Sequence, residues 1–72
     1  MAYNDTIAGE LLAISKHNRY VPGQQNGNTL EFFNQEDVWD TANELIKDGK
    51  LNAHIKWIPW TDGKLVDIVW DP

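Results

Sequence analysis

Apolar residues along the chain follow three separate rhythms. In "DTIAGELLAISKH", from Asp5 to about His17, Ile7, Leu11 and Ile14 recur at i, i+4 and i+7, flanked by Ala8, Leu12 and Ser15. That spacing lays one apolar stripe along an amphipathic helix. Asn4, Asp5 or Thr6 is placed to cap its first turn, accepting from amides that lack a partner inside the helix. Gly9 interrupts the pattern at a cost of up to ~1 kcal/mol relative to alanine. It is expected to mark close packing against a large side chain.

The next segment, Val21–Asn28 "VPGQQNGN", reads as a loop: Pro22 cannot continue a helix, and Gly and Asn favour turns. "NTLEFF", Asn28–Phe33, then alternates weakly and predicts a short strand with Leu30 and Phe32 on one face. A second helical rhythm follows in "NQEDVWDTANELIKDG". Val38, Ala42 and Leu45 form its buried stripe, with Trp39 and Ile46 alongside. Asn34 suits the N-cap, Asp37 stands where a capping-box acid sits, and Gly49 supplies the left-handed stop.

The last rhythm has period two. "IKWIPWTDGKLVDIVW", Ile55–Trp70, turns about Asp62-Gly63, a dipeptide that favours a two-residue type I′ hairpin turn. That turn pairs Trp60 with Leu65, Ile58 with Asp67, Trp57 with Ile68, Ile55 with Trp70 and His54 with Asp71. One face then carries Ile55, Trp57, Pro59, Val66, Ile68 and Trp70, with no polar side chain. The other carries His54, Lys56, Ile58, Trp60, Leu65, Asp67, Val69 and Asp71. A one-residue slip would set Asp67 among apolar residues, costing several kcal/mol on the order of a buried unpaired charge. Pro59 lacks the amide a central strand needs, which predicts an edge or a bulge there.

These elements predict an α+β fold in the order α-β-α-β-β. Two helices pack on a small, mainly antiparallel sheet of three strands, with a C-terminal hairpin and at least one helix on its apolar face. With 72 residues the chain reads as one domain, 1–72, and with no cysteine it has no disulfide or thiolate staple. A core this small seldom yields more than about 3–5 kcal/mol unaided. Four Trp, two Tyr and two Phe are the compensation available. Trp57 and Trp70 are expected in the core with help from Trp39, while Trp60 falls on the mixed face.

Charge narrows the partners. A formal net charge of −5 opposes direct contact with nucleic acid or an anionic membrane, both of which call for clustered cations. The opening "MAYNDTIAGE" does not read as a signal peptide, and the longest aliphatic run, "LLAI", cannot span a bilayer. A soluble, cytoplasmic protein is expected.

Three groups of residues are candidates for function. On the mixed face, Ile58, Trp60, Leu65 and Val69 form an apolar cluster framed by Lys56 and Asp67, with His54 and Asp71 beyond. An aromatic anchor inside a polar rim is the anatomy of a protein-contact hot spot. The same face would serve a protein partner or a homodimer, and a helix covering it would instead make Trp60 core. The charges at Lys56 and Asp67 favour contact over a covering helix. On the second helix, Glu36, Asp40 and Glu44 stand at i, i+4 and i+8 with Asp37 and Asp48 nearby. They lie about 6 Å apart along the axis, as a DNA mimic acting on nucleic-acid machinery would require. Charge lines on amphipathic helices are also the ordinary solvated face. In "SKHNRY", Lys16, His17 and Arg19 complement the negative end of the first helix, and Lys16 and Arg19 would carry the other form of the nucleic-acid-machinery alternative, a weak nucleic-acid binder.

Catalysis has little support. His17 and His54 lack a metal-ligand spacing, there is no Cys, and Ser15, the one Ser, is mid-helix. His54 opposite Asp71 reads as a cross-strand structural pair. The sequence therefore predicts no enzyme, no metal and no cofactor. It predicts a small acidic interaction module, of the kind carried as accessory or inhibitor proteins by phages and mobile elements.

Overall fold

The computed structural model describes residues 2–72. Its elements are α1 (Asp5–His17), β1 (Gly27–Thr29), α2 (Gln35–Lys47), β2 (Ala53–Trp60) and β3 (Gly63–Trp70), in the expected α-β-α-β-β order. The sheet is antiparallel, with β3 in the middle and the order β1-β3-β2. That order leaves β2 as an edge strand, which is where Pro59 can be accommodated.

Both helices form as their caps direct. Asn4 caps α1, its side chain accepting from the amides of Thr6 and Ile7. Asn34 caps α2 by accepting from the Asp37 amide at 3.2 Å. At the other end of α2, Gly49 takes φ 74°, Lys50 N–H donates to the Leu45 carbonyl and Gly49 N–H to that of Ile46. This pair of bonds is a Schellman stop, and a left-handed residue there favours glycine. Gly9 departs from expectation: it is exposed, and a Cβ added there would meet nothing within 4 Å. It lies on the outward side of α1 and makes no close approach.

Ile7, Ala8 and Leu11 of α1, Val38, Ala42 and Leu45 of α2, and Val66, Ile68 and Trp70 of β3 form one buried cluster with Leu51 and Ala53. The two helices therefore share one side of the sheet. Thr41, fully buried between them, accepts from the Asn4 amide at 3.0 Å and ties the start of α1 to the middle of α2. Trp70 is 5% exposed and donates its indole N–H to Asn28 Oδ1 at 2.6 Å, joining β1 to β3. Trp57 is only half-buried. It stacks on Trp39 with centroids 4.9 Å apart and planes 7° from parallel, and Lys64 Nζ lies 4.2 Å from its centroid. The stack closes the edge of the core, where a charged tip remains in water while its ring partner is covered.

Two expectations are corrected. The strand predicted over Asn28–Phe33 is only Gly27–Thr29, and residues 30–33 turn back toward α2. Gln35 explains the early stop. Its side-chain amide donates to the carbonyls of Leu30 and Phe33, at 2.8 and 2.9 Å, and accepts from the Val66 amide at 2.9 Å. One side chain thus substitutes for the next rung of the ladder, satisfying backbone groups that β1 leaves behind. Leu30 and Phe33 pack against the core, and Phe32, expected beside Leu30, is 100% exposed.

The hairpin register also differs. The turn is Thr61-Asp62, Trp60 pairs with Gly63, Ile58 with Leu65, Lys56 with Asp67, and Ile55 with Ile68. No non-glycine residue has positive φ, so the turn is not type I′, and Gly63 follows it with φ 153°. Relative to the expected pairing, β3 has slid by two residues. Because side chains alternate with period two, this slide keeps every residue on its predicted face. It also moves Asp67 from opposite Ile58 to opposite Lys56, and sets small Ala53 opposite Trp70. The room an indole needs beside Ala53 favours this arrangement.

Candidate functional site

The side of the sheet away from the helices is built from β2 and β3 with a short contribution from β1. Because Gly27 pairs with Val69, and Thr29 with Asp67, these two β1 residues join His54, Lys56, Ile58, Trp60, Leu65, Asp67 and Val69 on one surface. Pairing thus brings the six predicted contact residues together. Trp60 is 51% exposed near the hairpin tip, Lys56 is exposed, and Ile58, Asp67 and Val69 are half-buried. Leu65 differs, being only 5% exposed, so it forms the floor of the cluster and projects little of its own surface. Thr29 and Gly27 were absent from the sequence-based set, since their place depends on how β1 registers with β3.

Two contacts organise the charges here. His54 Nδ1 lies 2.7 Å from Asp71 Oδ1, within hydrogen-bond distance. The pair survives the two-residue slide because Asp71 moves from opposite His54 to the adjacent diagonal position. Asp67 packs its carboxylate over the bare backbone of Gly27: an added Cβ there would meet Asp67 Oδ1 at 2.5 Å. The Asp67 carboxylate therefore turns toward β1, although Lys56 is its direct cross-strand neighbour.

The acidic row lies elsewhere. Of its members, Glu36 and Asp48 are exposed and Asp37, Asp40 and Glu44 are half-buried on α2, away from the side that faces the sheet. Asp40 Oδ2 accepts from the Ala2 amide at 3.4 Å, a weak tether for the segment before α1. The basic cluster at the end of α1 borders two open clefts. One, of about 410 Å³, is lined by residues including Arg19, Tyr20, Asn52 and Trp70. The second, of about 370 Å³, runs beneath the loop before β1 and includes His17 and Asn26. Asn26 bridges that loop, accepting from the Val21 amide and donating to the carbonyls of Val21 and Gln24.

Ser15 donates to the Leu12 carbonyl at 2.8 Å, as an ordinary helical hydroxyl does. Among the described residues no group of three His, Cys, Asp or Glu is placed to hold a metal ion. Among the described residues no helix is long and apolar enough to cross a membrane. Phe32 is the exposed aromatic that pattern reading misplaced. Its neighbours Leu30, Phe33, Thr29 and Glu10 line a shallow cavity of about 350 Å³. Set beside known proteins, the chain matches no family model, no curated protein and no solved structure.

Proposed function

We propose that this chain is a non-enzymatic protein-interaction module that docks through the uncovered face of its sheet. It would serve in the cytoplasm as an accessory or inhibitor protein of the phage or mobile-element type. One observation carries the reading: both helices pack on the same side of the hairpin, leaving Trp60 51% exposed next to half-buried Ile58. A second helical layer would be needed to bury this side, and the chain does not provide one. Exposed indole surface adjoining Ile58, with the Lys56–Asp67 rung next along the strands, matches the organisation of binding hot spots.

The test is Trp60→Ala, measured by capture of partners from the native cell alongside thermal unfolding. Loss of at least tenfold in capture with an unaltered melting transition is the expected outcome, about the effect of removing one anchor aromatic. A large fall in stability with capture unchanged would reassign Trp60 to the core and remove the proposal.

A further inference from the structure

Resting on that reading of the uncovered face as a contact surface, we infer that its occupant is a second copy of this chain, packed face to face about a two-fold axis. The register supplies the argument. Trp60 stands directly opposite Gly63, Ile58 opposite Leu65, and Lys56 opposite Asp67. A two-fold axis parallel to the strands and midway between β2 and β3 exchanges the members of each pair between copies. Trp60 then lies over Gly63 of the second copy, Ile58 over Leu65, and Lys56 over Asp67. Two contacts are complementary, a large ring over a missing side chain and cation over anion, while Ile58 meets only the small remaining surface of Leu65. An isologous interface needs this kind of self-match, because every contact occurs twice.

The charges are also disposed to allow it. Among the described residues, Lys56 and Asp67 form no ion pair within one copy. Of the eleven acids, Asp67 is the one within the strands of this face, with Asp71 just beyond β3 and Asp62 in the turn. The five acids of the α2 row lie in the helical layer, so stacking the sheets leaves both acidic helices outermost. Two eight-residue strands span roughly 26 Å. The overlap is therefore small, and self-association should be weak, with a dissociation constant of about 10 µM to 1 mM.

Sedimentation equilibrium across about that concentration range tests the inference, with circular dichroism to follow the fold. The wild-type chain should dimerise, while Lys56→Glu and Asp67→Lys should each weaken self-association at least tenfold. Mixed in equal amounts, the two variants should recover it. One then presents an excess of negative charge where the other presents positive, and only positions 56 and 67 of different copies can produce that recovery. If Asp67→Lys fails to fold, exposed position 56 carries the test alone: Lys56→Glu must weaken self-association more than Lys56→Gln, and equal effects overturn self-pairing. A wild-type chain that stays monomeric, or a dimer indifferent to these charges, overturns self-pairing. The contact reading fails separately, if Trp60→Ala leaves both partner capture and self-association unmoved.

Discussion

The two sides of the β2–β3 hairpin are made by alternate residues of the same sixteen positions, yet their surroundings differ sharply. On one side Val66 and Ile68 are completely buried beneath the helices, and Trp70 is nearly so. On the other, Trp60 and Lys56 are exposed, and Ile58, Asp67 and Val69 are half-buried. Apolar content alone does not explain the contrast, since Ile58, Trp60, Leu65 and Val69 are as greasy as their counterparts. The difference comes from the number of helices. Two helices suffice to cover one side of a three-stranded sheet, and the chain spends both on the side whose one charged strand residue, Lys64, lies out near the hairpin tip.

This contrast can be broken or sharpened by substitution. Ile68→Ala, on the covered side, should lose about 2–5 kcal/mol of unfolding free energy in a denaturant titration, because it removes a fully buried aliphatic group. Gln35→Ala strikes the junction between β1 and α2. It strands the Val66 amide and two carbonyls and should cost about 1–3 kcal/mol, with faster hydrogen exchange at Val66. Gly9→Ala, on the outward side of α1, should raise stability by about 0.5–1 kcal/mol, since the space beside it is open. Trp60→Ala should move stability least, by about 0.5 kcal/mol or less as a surface change does, while carrying the largest effect on association. A Trp60 variant as destabilised as the Ile68 variant would erase the distinction between the two sides.

The acidic row of α2 gives a second contrast. It satisfies the geometry of a solvated helix face, and Asp40 is partly occupied by the Ala2 amide. The Trp60 side has no such internal occupant for its indole. That asymmetry is why the contact surface is placed on the sheet, although both regions were equally visible as patterns of residue type.

Much of the architecture was legible before any coordinates. Helical periodicity with Asn4, Asn34 and Gly49 as terminators located α1 and α2, because capping and backbone sterics act over a few residues. Alternation assigned each hairpin residue to its side for the same local reason. The turn itself was misplaced. A slide of two residues preserves that alternation, so hydrophobicity cannot choose between registers, and the observed one sets small Ala53 opposite Trp70. The short β1 was equally out of reach, since the Gln35 side chain that ends it acts across the fold on Val66.

By itself, then, the order of residues determined the elements, their caps and the split of the hairpin into a mainly apolar side and a mixed one. Those are consequences of interactions between near neighbours. Only the tertiary structure decided that both helices share one side, that Phe32 turns outward, and that Asp67 leans on Gly27 away from Lys56. Each of these depends on contacts between segments far apart in the chain, whose relative placement no local pattern encodes.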